Sequence, residues 1–143
     1  TRAKRPGWIF VTIKRHGAEL VRLLKRKGLN VTHATGDVDP AVRAKRVERM
    51  QRGELDWIVA TSVLKTGLSV DELASIINAG ARKSAVELIQ QSGRVVRRAK
   101  GVVEKEIWDI DDVGNDTLER WARARRRIYK KAGFEIRDPD AIL

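Results

Sequence analysis

Three arginines, Arg94, Arg97 and Arg98, follow Gly93 within five residues in the stretch 88–98, LIQQSGRVVRR. A guanidinium stays protonated at any working pH and presents a planar fork of donors, so such a cluster, if held rigidly, suits a polyanion such as a triphosphate. Charge runs are usually solvated loops. Here Val86, Leu88, Ile89, Val95 and Val96 surround the arginines with apolar anchors. A second stretch, 61–69 (TSVLKTGLS), combines hydroxyls with Lys65 and with Gly67, where backbone can approach a ligand closely. Hydroxyls, a lysine and backbone N–H groups are the sequence-independent ligands of nucleic-acid phosphates. The same letters, read in isolation, equally fit a Ser/Thr-rich connection that caps the next element.

The elements that must position these stretches alternate along the chain. WIFVT (8–12) is a continuous apolar run of strand length, and from Ala18 the positions Leu20, Val21, Leu23 and Leu24 recur at helical spacing up to a stop at Gly28. A short strand at 31–34 follows. Asp39 and Pro40 form a helix start, a capping side chain and a proline in the first turn, and Gly53 closes that helix. DWIVAT (56–61), SIINA (75–79) and EIWDI (106–110) read as further strands, with a helix leading into the arginine run and a long basic helix over 116–131 ending at Gly133. Strands alternating with helices predict an α/β fold, a mostly parallel sheet with helices on both faces. Sites in such sheets lie beyond the carboxyl ends of the strands. That rule selects 12–15, 35–37, 61–69 and 80–84.

Composition narrows the partner. The 143 residues carry 30 Lys and Arg against 19 Asp and Glu, a formal net charge of +11, which predicts an anionic partner, nucleic acid before membrane. No apolar run approaches the roughly 18 residues of a membrane-spanning helix, and the opening TRAKRPGW lacks the apolar segment of a signal peptide. An intracellular chain, in the cytoplasm or nucleoid of a bacterial or phage-infected host, is the expectation. With no Cys and only two separated histidines, His16 and His33, no metal site is expected. The histidines read as loop and strand-edge residues, Trp8, Trp57 and Trp108 as core, and the last helix as docking through Leu118, Trp121, Ile128 and Tyr129 with its arginines outward, a basic face that fits nucleic-acid contact and plain solvation equally.

The arginine run resembles motif VI of superfamily 2 helicases, Q-x-x-G-R-x-x-R, met by Gln90, Gly93, Arg94 and Arg97. ATSVLKTGLSV resembles motif V, with Thr61 and Gly67 in matching places and Ser69 where many relatives carry Asp; FVTIKRH resembles motif IV; HATGDVD, with Arg43 and Arg46 in the helix after it, resembles the segment between them. The resemblance runs in family order from Trp8 to about Lys100. The stretch ARKSAVELIQQSGRVVRR looks particularly like phage-type DNA repair and annealing helicases.

The resemblance implies the C-terminal RecA-like domain, a three-layer sandwich, of a two-domain motor. Residues 1–7 would be the linker from an N-terminal RecA-like domain of the same polypeptide, 8–136 the domain, and 137–143 a tail. ATP and Mg would be bound mainly by that other domain, because the chain holds no G-x-x-x-x-G-K-[ST] loop, and DELA at 71–74 follows the motif V stretch rather than a buried strand. Arg97, with Arg94 beside it, would reach the ATP γ-phosphate across the interdomain cleft. Gln90 and Gly93 would couple nucleotide state to closure, and the chain by itself would not hydrolyse ATP. Thr12, Gly36 and Thr61 are the leading candidates for phosphate contacts, and Lys14, Arg15, Lys65 and Gly67 for their support. DNA, single-stranded or branched, is the expected partner. An RNA helicase domain and a stand-alone nucleic-acid-binding module are the alternatives.

Overall fold

The computed structural model describes residues 3–61, 74–80 and 106–138. Five short strands form one sheet: β1 (Gly7–Phe10), β2 (Val31–Ala34), β3 (Trp57–Ala60), β4 (Ser75–Asn78) and β5 (Glu106–Asp109). Their order is β2-β3-β1-β4-β5, and every pairing is parallel. Parallel strands are covered on both faces, which is why β1 and β3 read as unbroken apolar runs. Three described helices provide the cover: α1 (Lys14–Arg26), α2 (Pro40–Gln51) and α3 (Asp116–Lys131).

The strand side chains sort by alternation. Trp8, Ile58, Ala60 and Ile76 pack with Val47 and Met50 of α2 and Tyr129 of α3. Ile9, Trp57 and Val59 point the other way, against Val21 and Leu24 of α1. Trp8 and Trp57 are fully buried, on opposite faces of the sheet.

Local signals account for most boundaries. The Asp39 carboxylate accepts from the Ala41 N–H at 2.8 Å, Pro40 occupies the first turn of α2, and Gly53 takes φ +77° beyond its end. Asn115 caps α3 by accepting from the N–H groups of Thr117 and Leu118, both at 3.1 Å. By contrast, α1 starts at Lys14, four residues before the expected Ala18. Its cap position is Ile13, in extended conformation with no side-chain hydrogen bond, so the start carries no capping signal. His16 accordingly lies in the first turn of α1 and not in a loop, whereas His33 sits in the edge strand β2.

Residues 3–6, part of the expected linker, pack against the sheet. Ala3 is buried, Lys4 pairs with Glu106 at 3.2 Å, Arg5 pairs with Asp56 at 3.2 Å, and the Ser75 hydroxyl donates to the Lys4 carbonyl at 2.5 Å. Gly7 then enters between two neighbours. A Cβ there would press on the Trp57 ring and lie 2.7 Å from the Ser75 carbonyl oxygen, which is backbone and cannot yield cheaply. Gly7→Ala is therefore expected to destabilise the domain by about 1–3 kcal/mol through overpacking. Chemical denaturation would measure it, and an unchanged midpoint would show that the Trp57 indole repacks freely.

Candidate nucleic-acid interface

Because all five strands are parallel, their carboxyl ends share one edge. That edge gathers Thr12, Lys14 and Arg15 after β1, Gly36 after β2, and Thr61 after β3. Thr12, Lys14, Arg15 and Gly36 are exposed and Thr61 is half-buried. Lys65 and Gly67, and the arginine-run residues Gln90, Gly93, Arg94 and Arg97, lie outside the described residues.

Two contacts tie the first loops together. Lys14 reaches Asp37 at 3.5 Å, joining the exits of β1 and β2. The buried Thr35 donates its hydroxyl to Asp37 at 2.5 Å. The Thr35 hydrogen bond, helped by a backbone hydrogen bond and by Lys14, holds the Asp37 carboxyl below its usual range. Asp37 is thus anionic and fastened, and between it and Thr35 the Gly36 backbone faces open space, with no atom apart from its own chain neighbours within 4 Å of where a Cβ would stand. Behind it, Arg46 of α2 donates to the His33 carbonyl, and burial, with Arg46 nearby, pushes the His33 imidazole below its usual pKa.

A third contact joins β1 to β4. A Cβ on Gly80 would lie 3.0 Å from the Thr12 methyl, so the exit of β4 abuts the exit of β1. The Gly80 N–H donates to the Asn78 side-chain oxygen at 3.1 Å, and the Asn78 amide donates to Asp109 at 3.3 Å. Asp109 in turn receives the Arg125 Nε, 3.1 Å from each of its carboxylate oxygens, while another guanidinium nitrogen donates to the Ile110 carbonyl at 2.8 Å and to Asp112 at 3.2 Å. Arg125 is only 1% exposed. This corrects the expectation that the α3 arginines all face outward. The signal lies in the helical phase: Arg125 stands three residues after Ala122 and four before Tyr129, on the stripe that faces the sheet, with Asp109 and Asp112 at the end of the preceding strand. Burial, then the charge of Asp109, drives the Tyr129 phenol far above its usual pKa, so it stays neutral beside them. Among the described residues, no group of His, Cys, Asp and Glu is arranged to hold a metal ion, and no helix is long and apolar enough to cross a membrane.

Residues 2–99 match the model of the helicase conserved C-terminal domain, well over half of the chain. The chain belongs to that family. It is a C-terminal RecA-like domain of the superfamily 2 helicase type. The chain is 33% identical over 98 residues to the ATP-dependent RNA helicase DeaD of Buchnera aphidicola subsp. Baizongia pistaciae, a match covering 66% of this chain and 16% of that protein. It is 35% identical over 133 residues to UvrABC system protein B of Nitratidesulfovibrio vulgaris, covering 88% of this chain and 20% of that one. The helicase domain thus spans no more than about a fifth of these relatives. Its fold matches a DEAD box protein from the hyperthermophile Methanococcus jannaschii with a TM-score of 0.63 at 23% identity, over 89% of this chain and 33% of that one.

Proposed function

We propose that this chain is the second motor domain of an ATP-dependent helicase or translocase. On this reading its strand-end loops grip the phosphate backbone of a nucleic acid, while Arg97 and Arg94 complete an ATP site held, with Mg, mainly by an N-terminal RecA-like domain of the same polypeptide. The observation that carries the reading is the convergence of Thr12, Gly36 and Thr61 on one edge of an all-parallel sheet. Hydroxyls and open backbone at such an edge bind phosphates without reading bases. Lys14 and Arg15 beside them, with Lys65 and Gly67 further along the chain, add charge and close approach. Closing and opening of the two domains would move this grip along the strand, with Gln90 and Gly93 linking it to the nucleotide. The isolated chain, lacking a phosphate loop of its own, would not turn over ATP.

Two polymers fit the grip. Likeness to UvrABC system protein B over 88% of the chain, a span long enough to reach into α3, favours DNA, in line with the DNA repair reading; likeness to an RNA helicase favours RNA. ATP hydrolysis by the full-length polypeptide, stimulated in parallel by single-stranded DNA and single-stranded RNA, decides between them. No stimulation by either would overturn the motor reading.

Gly36 offers a cleaner probe of the grip than any charged residue. Space above it is open and its backbone is not in the left-handed region, so Gly36→Leu should fold normally, within about 0.5 kcal/mol of the parent. Its side chain would nevertheless stand where a phosphate approaches. Affinity for single-stranded nucleic acid is expected to fall about tenfold, roughly 1.4 kcal/mol, by fluorescence anisotropy. Unchanged affinity would remove Gly36 from the interface.

A further inference from the structure

The strand-end loops account for only a part of the positive charge. On α3, Arg120, Arg123, Arg127, Lys130 and Lys131 are all exposed and recur at spacings of three and four, which places them in one line on the face opposite the buried Ala122, Arg125 and Tyr129. The line runs from Arg120 to Lys131, eleven steps of helix or about 16 Å at 1.5 Å per residue. Of the basic residues on the other helices, Arg22 is paired with Glu19 on α1, and Arg49 and Arg52 at the α2 end share Glu54. Of the five in the α3 line, only Arg123 has an ion-pair partner among the described residues, Glu119 at 3.6 Å. Arg126, beside the line, is engaged by Asp111 and Asp138. Asp116 shares the face but sits in the first turn, where the helix dipole favours a carboxylate. Beyond it the line is uninterrupted.

We propose that this line is a second track for nucleic acid, taking the phosphate backbone of a duplex beyond the segment held by the strand-end loops. The inference rests on the nucleic-acid-binding reading above. Charge complementarity names the occupant. A duplex carries one phosphate charge per roughly 1.7 Å of its axis, twice the density of a single strand, and it is stiff, so a stiff row of cations meets many phosphates at once. The row is also fixed in place: Arg125 on the inner face clamps the middle of α3 to the carboxyl end of β5, so the row stands on the side of the helix turned away from the sheet. No large exposed apolar residue interrupts the row, as an interface with a folded protein would require at its core.

The test is the salt dependence of binding of a short blunt RNA duplex, a DNA duplex of the same sequence, and a single strand to three proteins: the parent, Arg120→Gln/Arg127→Gln/Lys130→Gln, and Gly36→Leu. If each glutamine removes one phosphate contact, the slope of log affinity against log salt for either duplex should fall by about 2.7, three times 0.9, while single-strand binding changes little. Gly36→Leu should weaken single-strand binding with its salt slope intact, because no cation is lost. An unchanged duplex slope in the triple variant, with the parent still binding nucleic acid, overturns the track and leaves the grip standing. An equal loss against an acidic polypeptide of matched charge also overturns it, since the row would then be a general cationic surface. A parent that binds neither duplex nor single strand overturns the nucleic-acid reading itself.

Discussion

Arg97→Ala in the full-length polypeptide is expected to lower nucleic-acid-stimulated ATP hydrolysis by roughly three to five orders of magnitude, the cost of losing an arginine finger. The effect belongs to kcat. A guanidinium that meets the γ-phosphate as charge spreads over its oxygens stabilises the transition state more than bound ATP, so KM for ATP and affinity for nucleic acid should change little. Arg97→Lys should recover little of the loss, because an ammonium is a point charge without the planar fork. The described chain leaves the sheet at Gly80, on the edge that carries Thr12 and Thr61, just ahead in sequence of the segment bearing Arg94 and Arg97. A steady-state ATPase assay reads the outcome. Turnover within tenfold of the parent would remove the finger from Arg97 and turn attention to Arg94, earlier in the same motif-like run.

A feature is legible in the sequence when a residue's neighbours along the chain are also its neighbours in space. The boundaries of β2 and α3 are of this kind, because Val31–Ala34 is a short β-rich run between turn residues and α3 opens on Asn115 and closes before a positive-φ Gly133. The edge holding Thr12, Gly36 and Thr61 follows from alternation alone, since parallel strands must present their carboxyl ends together. The start of α1 is not legible, because Ile13 gives no cap to see. Nor is the packing of Ala3 to Pro6, where contacts to Asp56, Ala74 and Glu106 come from residues about 50 to 100 positions away, and a basic lead reads as exposed. Arg125 is the instructive miss. Its type says surface, its helical phase says core, and phase decides.

Arg125→Met tests that last point at the level of stability. Methionine fills most of the volume and keeps helix propensity, so the loss isolates the guanidinium. Removing it strands Asp109 and Asp112, whose side chains are each 21% exposed, together with the Ile110 carbonyl, without their main donor. Breaking a buried ion pair by deleting one partner typically costs about 3–5 kcal/mol, and the partial exposure of the carboxylates places the expected value near the lower end, about 3 kcal/mol. Urea denaturation should show it as a lowered midpoint with an unchanged slope. Adding Asp109→Asn should recover part of the loss, because the stranded charge goes with it, and the interaction energy of that double-mutant cycle separates the ion pair from packing. A loss under about 1 kcal/mol would mean that water replaces the guanidinium, and that the cluster is a solvated surface group after all. A positioning role makes a further demand. Asp109 holds Asn78, Asn78 holds the Gly80 N–H, and Gly80 abuts Thr12. Amide exchange at Gly80 should therefore accelerate in Arg125→Met even where the rest of the sheet stays protected, which a uniform loss of stability would not produce.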